Sequence, residues 1–105
     1  MSHMDAVLDE IVRRIIQVAQ PDRIILFGSA ARGHAGPNSD LDLLVIKSGD
    51  IHRGRLEAEI HRHLQGVEAA VDVIVVKSED VERYRDSPYT VIRPALREGR
   101  VVYAA

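Results

Sequence analysis

Hydrophobic positions at the start of the chain follow two different patterns. Residues 5–19 place apolar side chains at steps of three and four among charged ones, which predicts an amphipathic helix with Asp5 as its N-cap. Pro21 lies beyond its end, where a helix cannot continue. Ile24 to Phe27 is an unbroken apolar run that ends at Gly28, as expected of a central strand covered on both faces. The opening of the chain therefore predicts a helix followed by a buried strand.

The rest of the chain continues as short strands and helices separated by turn residues. The pattern predicts a strand at 41–46, a helix at 53–65 closed by Gly66, a strand at 70–76, a short helix from Ser78 to Tyr84 or Arg85, a helix from Ser87 to Glu98 capped by Gly99, and an edge strand at 101–103. No internal repeat or linker divides it. This order predicts an α/β (α+β) fold, a short mixed sheet with flanking helices.

Length and composition indicate one domain. The chain has 105 residues, of which 46% are hydrophobic and 29% charged. Met1-Ser2-His3-Met4 resembles an expression-tag remnant, so the predicted domain is 5–105. No cysteine is present, no apolar run approaches the ~20 residues of a membrane helix and no signal peptide opens the chain, so we expect a cytoplasmic protein without a membrane partner. The net charge of -2 argues against direct nucleic-acid binding.

Three aspartates stand in strand-like runs. Asp40 and Asp42 are two residues apart, so their side chains project from one face with Cα atoms about 6–7 Å apart. Carboxylates this close repel unless cations lie between them, and such ligands suit Mg²⁺ or Mn²⁺. Asp72 interrupts the most apolar run, and we expect a buried carboxylate there to be partnered by the Asp40 and Asp42 pair on a neighbouring strand. Three such carboxylates can hold two ions about 3.5–4 Å apart for in-line displacement at phosphorus.

Gly28 and Ser29 have the character of a phosphate-binding turn. A glycine directly after a buried strand lets the backbone approach a ligand closely, and the next N–H groups and the serine hydroxyl then point at it. A helical turn at 30–32 would favour an anion at its N-terminus. Together with the carboxylates, this describes a nucleoside triphosphate site. The competing interpretation is a strand-turn-strand unit with solvated carboxylates, and Asp72 as a hydrogen-bonded core carboxylate.

These residues resemble the DNA polymerase beta-like nucleotidyltransferases, and within them the minimal nucleotidyltransferase (MNT) domains. The shared pattern is Gly28-Ser29, ten residues, then Asp40-Leu41-Asp42, with Ala31-Arg32-Gly33 and Ser39 around it and a later strand aspartate matching Asp72. The motif core spans residues 27–43, and the order of elements extends the resemblance over nearly the whole chain. The resemblance implies the polymerase beta-like nucleotidyltransferase fold.

The resemblance also implies the roles of the site residues. Asp40 and Asp42 would bind both metal ions, and Asp72 would bind the ion that activates the attacking hydroxyl, so that these three are the catalytic residues. The nucleotide-binding candidates are Gly28 and Ser29, which would hold the β- and γ-phosphates of ATP, with Arg32 and Ser39. Arg32 either reaches the triphosphate or braces the loop.

The implied reaction is attack of an acceptor hydroxyl on the α-phosphorus, with pyrophosphate leaving. MNT proteins of this size resemble the antitoxin half of HEPN/MNT toxin–antitoxin pairs, in which AMP is transferred from ATP to a tyrosine of the HEPN ribonuclease toxin. We therefore expect a magnesium-dependent protein adenylyltransferase that acts as an antitoxin. Two alternatives stay open: a non-catalytic antitoxin that neutralises its toxin by binding alone, and a nucleotidyltransferase acting on a small molecule or RNA. Tyr84 and Tyr89 either pack at core edges or face a partner or a base.

Overall fold

The computed structural model describes residues 3–31 and 40–105, with side chains from residue 5 onward. Within these ranges the elements are α1 (His3–Ala19), β1 (Arg23–Phe27), β2 (Leu41–Lys47), α2 (Arg53–His63), β3 (Val71–Lys77), α3 (Ser78–Tyr84), α4 (Ile92–Glu98) and β4 (Arg100–Ala104). The predicted order of helices and strands is confirmed.

The four strands form one mixed sheet in the order β3-β2-β1-β4. β1 runs antiparallel to both of its neighbours, while β2 and β3 are parallel and are joined through α2. Parallel neighbours need such a crossover, which is why a helix separates them in the chain. β1 is therefore interior and β4 is an edge strand, as predicted.

Both faces of the sheet are covered by helices. One apolar cluster joins α1 and α2 to alternate sheet residues such as Leu43 and Val45. The second joins α3 and α4 to the residues between them, such as Leu44 and Ile46. Since successive strand residues point to opposite faces, a sheet covered on both sides produces the continuous apolar runs seen in the sequence.

The start of α1 differs from the prediction. The helix begins at His3, so Asp5 lies in its first turn and is not the N-cap. An acidic residue still stabilises this position, because the N-terminal end of a helix carries partial positive charge.

The start of α4 is also later than predicted. The helix begins at Ile92, whereas Ser87-Pro88 was expected to open it. The Ser87 N–H donates to the Tyr84 carbonyl at 3.0 Å and the Ser87 hydroxyl accepts from the Tyr89 N–H at 3.3 Å. Serine side chains compete in this way with helix formation, so the segment forms a turn between α3 and α4.

Gly99 ends α4 as predicted, but for a different reason. Its φ is -80°, which any residue can adopt. A Cβ at this position would instead overlap the Ala95 carbonyl oxygen and the Ile25 side chain. Glycine is therefore required by the close packing of the end of α4 on β1.

Candidate active site

The strand register brings two of the predicted aspartates side by side. Asp42 of β2 is paired with Asp72 of β3 in the parallel ladder, and with Phe27 of β1 on its other side. Asp42 alternates with Leu44 and Ile46, so it points to the face of the sheet that α3 and α4 cover. We call the neighbours Asp42 and Asp72 the acid row.

Asp42 is the electrostatic centre of the site. Its side chain is half-buried. Its pKa is raised above the ordinary aspartate value, first by burial, then by the charges of Asp72 and Asp40 and by a hydrogen bond with Asp72. The charges of Asp72 and Asp40 therefore both act on Asp42, because each negative neighbour disfavours a further negative charge there. A bound cation would reverse this effect.

One expectation about the carboxylates needs correction. Asp72 is exposed and not buried, and it lies on β3, an edge strand of the sheet. Asp40 is also exposed and immediately precedes β2. Within residues 3–31 and 40–105, no three acidic or histidine side chains close around a common point that would hold a metal ion. The half-buried carboxylate is that of Asp42.

Gly28 lies against the Asp42 carboxylate. Its φ is +74°, a conformation that side chains with a Cβ rarely adopt. A Cβ at this position would overlap Oδ2 of Asp42. The glycine turns the backbone at the end of β1 and brings it against the Asp42 carboxylate.

The turn after Gly28 is anchored from the other face of the sheet. Residues 29–31 form a turn and not a helix, so the predicted helical phosphate site does not form in the described part of the loop. Ser29 is half-buried, and Ala30 and Ala31 pack against the cluster beneath α1 and α2. This packing holds the turn that contains Ser29 against the core. Arg32 and Ser39 lie outside the described residues.

Phe27 is a site neighbour that the sequence reasoning treated only as a strand residue. It lies directly across from Asp42 and packs against the cluster under α3 and α4. Strand alternation was the available signal, since Phe27 must share the face of Ile25. It places an apolar ring beside the half-buried carboxylate.

The donor set of the acid row suits a hard divalent cation. Aspartate oxygens are the ligands that Mg²⁺ and Mn²⁺ prefer, and the charges of Asp72 and Asp40 both act on the Asp42 carboxylate. The Gly28 backbone lies directly against the Asp42 carboxylate. An acid row beside a glycine turn is the kind of site that handles a metal-bound polyphosphate.

The sequence comparison identifies the family. Residues 8–101 match the family described as "Nucleotidyltransferase domain", from the second turn of α1 to β4. The chain belongs to this family, so the fold and the acid row define a nucleotidyltransferase domain. A search of curated proteins finds no match.

Solved structures share the fold and not much of the sequence. A protein from Sulfolobus solfataricus described as a nucleotidyltransferase superposes with a TM-score of 0.65 at 20% identity, covering 94% of this chain and 78% of that chain. A toxin–antitoxin complex with AMP-PNP gives 0.65 at 19%, covering 92% and 73%. A complex of tri-AMPylated Shewanella oneidensis HEPN toxin with MNT antitoxin gives 0.64 at 14%, covering 96% and 72%. This chain therefore has an MNT-like nucleotidyltransferase fold.

The described helices include none that is both long and apolar enough to cross a bilayer.

Proposed function

We propose that this protein is a magnesium-dependent nucleotidyltransferase that transfers AMP from ATP to a hydroxyl of a partner HEPN ribonuclease toxin, and so acts as its antitoxin. The observation that carries the proposal is the acid row itself. A domain that only bound a partner would gain nothing from Asp42, whose charge is disfavoured by burial and by two neighbouring carboxylates.

Each residue of the site has a distinct task in this proposal. Asp40, Asp42 and Asp72 would hold divalent ions, Mg²⁺ or Mn²⁺, which when bound neutralise charge on the triphosphate and on the attacking oxygen. Gly28 lets the backbone approach the phosphates, and Ser29 donates its N–H and hydroxyl to them. Arg32 and Ser39 are proposed as further nucleotide contacts.

The exposure of Asp72 indicates the side from which the acceptor enters. Asp42 is enclosed between β1 and β3, whereas Asp72 opens to solvent at the edge of the sheet. An acceptor hydroxyl can therefore reach the Asp72 side while the triphosphate lies along the Gly28 turn. The hydroxyl oxygen attacks the α-phosphorus, and pyrophosphate leaves on the opposite side. A carboxylate of the acid row receives the hydroxyl proton.

The structural neighbours support the choice of nucleotide and partner. One is a toxin–antitoxin complex with AMP-PNP, an ATP analogue, and another contains a HEPN toxin that carries AMP. A third neighbour, MntA–HpeT, superposes with a TM-score of 0.67 at 16% identity in a form with two aspartate-to-glutamate substitutions two residues apart. That spacing is the same as between Asp40 and Asp42.

The test is transfer of label from [α-³²P]ATP with Mg²⁺ to the HEPN-type protein encoded by a neighbouring gene. The wild-type protein should label a tyrosine of the partner, and Asp42→Asn should abolish the label. Asp50→Asn, a change of an exposed aspartate beyond β2, is the matched control and should label normally. Arg32→Ala and Ser39→Ala should each reduce labelling if they contact the nucleotide.

The same experiment separates the alternatives. Neutralisation of the ribonuclease by Asp42→Asn, without any label in the wild-type reaction, would show an antitoxin that works by binding alone. Label that appears on added RNA or on a small molecule, and not on the protein partner, would identify the other acceptor class.

A further inference from the structure

Tyr89 is unusually exposed for a tyrosine. The exposed large hydrophobic side chains among the described residues are Tyr84 at 39%, Val101 at 52% and Tyr89 at 94%. The backbone N–H of Tyr89 donates to the Ser87 hydroxyl, but its phenol makes no hydrogen bond within the described ranges. The turn holds the backbone of Tyr89 while its hydroxyl stays free.

The turn that carries Tyr89 belongs to the catalytic face of the sheet. Val91 and Ile92 follow it directly and pack in the cluster that contains Leu44. The next residue of β2 on that face is Asp42, one step of about 6–7 Å further along the strand. The turn that carries Tyr89 therefore joins an element that packs on the same face of the sheet as Asp42.

We propose that Tyr89 of one copy of this protein is an AMP acceptor for the active site of a second copy, an inference that rests on the proposed nucleotidyltransferase function. The Tyr89 phenol oxygen attacks the α-phosphorus of ATP and forms a new P–O bond. The bond from the α-phosphorus to the oxygen that bridges to the β-phosphorus breaks, and pyrophosphate leaves with that electron pair. The phenol proton passes to a carboxylate of the acid row and from there to water. No oxidant or further reactant is needed.

The other two tyrosines are poorer acceptors. Tyr84 ends α3 with less than half of its surface exposed, and its carbonyl is engaged in the turn. Tyr103 lies in β4 and packs against the cluster under α1. Only Tyr89 combines near-complete exposure with a position on the catalytic face.

Transfer between copies follows from the same exposure. A tyrosine residue with 94% of its surface exposed is presented to another molecule more readily than to the acid row of its own chain. A second copy can bring its open Asp72 edge to the protruding phenol.

The test uses the purified protein alone with ATP and Mg²⁺, followed by intact mass and peptide mapping. We expect the added mass of one AMP on Tyr89. Tyr89→Phe should lose this added mass, while the matched control Tyr84→Phe should keep it. An AMP that persists in Tyr89→Phe, or that maps to another residue, would overturn the assignment.

Mixing two variants tests the transfer between copies. The Asp42→Asn chain lacks transfer activity but retains Tyr89, so it can only receive AMP. The Tyr89→Phe chain can transfer AMP but lacks the acceptor tyrosine. The mixture should therefore place AMP on Tyr89 of the Asp42→Asn chain. An unmodified Asp42→Asn chain would overturn transfer in trans. Labelling of a HEPN partner by Tyr89→Phe at the wild-type rate is expected, because Tyr89 is not part of the catalytic machinery.

The inference and the proposed function fail in different ways. Partner labelling without any AMP on Tyr89 would contradict this inference and leave the proposed function intact. Absence of AMP from both the partner and Tyr89 would contradict the proposed function itself.

Discussion

At residue 28 a side chain and the Asp42 carboxylate would occupy the same space. The φ of +74° at Gly28 already excludes most side chains, and the Asp42 carboxylate occupies the volume that a Cβ would need. Both constraints act on the position where the proposed triphosphate meets the proposed metal ligands.

Gly28→Ala should therefore damage both stability and activity. An alanine at positive φ costs about 1–2 kcal/mol, and the displaced Asp42 carboxylate should abolish nucleotide transfer. The measurements are denaturant unfolding and label transfer. Gly66→Ala is the control, since its φ of +91° carries the same strain with no atom within 4 Å of the Cβ. Equal effects of the two changes on transfer would contradict the geometry described for Gly28.

Asp42→Asn should stabilise the metal-free protein while removing its activity. The substitution removes a half-buried charge opposed by two neighbours, so unfolding free energy should rise by about 0.2–1 kcal/mol, the range for a cross-strand pair. Urea unfolding in the presence of EDTA measures this. In Mg²⁺ the wild type should instead have the higher unfolding free energy, because the ion stabilises the wild type and not Asp42→Asn. A clear loss of stability in EDTA would show that Asp42 has a structural role that its pKa does not indicate.

The identity of the acid row could be predicted from the sequence, but its burial could not. The two-residue spacing of Asp40 and Asp42 predicts that their side chains project from the same face. The apolar run around Asp72 predicts that Asp72 lies in a strand. Exposure of Asp72 depends on β3 lying at the edge of the sheet, which strand periodicity does not encode.

At the scale of elements, a side chain from α2 binds a backbone N–H on the outer edge of β3. The Val75 N–H, which points away from β2, donates to Oε1 of Glu57 at 2.9 Å. An uncovered edge N–H invites pairing with another strand, and a carboxylate placed across it prevents that. The other edge strand, β4, carries a register shift opposite Ile24 and Ile25, and such irregularities also hinder strand addition.

Glu57→Ala should destabilise the protein and promote self-association. Loss of a charge-assisted hydrogen bond to a part-buried N–H costs about 1–3 kcal/mol. Glu57→Gln retains an acceptor oxygen and should lose less. Urea unfolding measures the stability, and light scattering measures the association. Identical unfolding of Glu57→Ala and wild type would mean that the bond contributes nothing.

Asp22 joins three elements at the opposite end of the sheet. Its Oδ2 accepts from the Ser48 N–H at 2.7 Å and from the Ser78 hydroxyl at 3.0 Å. These bonds, led by those from Ser48, lower the pKa of Asp22 below its ordinary value. The carboxylate thus ties the start of β1 to the residue after β2 and to the start of α3.

Asp22→Asn should lower stability in a pH-dependent way. A lowered folded pKa gives stability that is present above the unfolded aspartate value and is lost as pH falls through the folded value. The wild-type advantage over Asp22→Asn should therefore be constant near neutrality and disappear in acid. Unfolding at several pH values measures it, with the exposed Asp50→Asn as control. An advantage that grows as pH falls would contradict this account.

Most of the elements could be predicted because apolar periodicity directly reflects which faces are buried. The start of α4 could not, because Ser87-Pro88 also opens turns, and there the serine hydroxyl hydrogen-bonds the backbone. Gly99 was identified correctly, but its reason, the contact with Ile25, belongs to tertiary packing.

At the scale of the whole molecule, the described chain places Asp42 and the exposed Asp72 side by side where β2 and the edge strand β3 begin. The family match spans residues 8–101, so nearly every element belongs to the nucleotidyltransferase domain. In the proposed reaction the acceptor is presented at the exposed Asp72, either by a partner protein or, in our further inference, by Tyr89 of a second copy. Neither acceptor could be read from hydrophobic patterning, because both depend on surfaces that the pattern leaves unspecified.

The most direct test of the central claim is calorimetric titration of ATP into the wild type and Asp42→Asn, with and without Mg²⁺. The account predicts that the wild type binds ATP only when Mg²⁺ is present. Asp42→Asn should bind at least about tenfold more weakly, equal to about 1.4 kcal/mol, and Asp50→Asn should match the wild type. Binding of ATP by Asp42→Asn with wild-type affinity in Mg²⁺ would contradict the assignment of the acid row as the metal and nucleotide site.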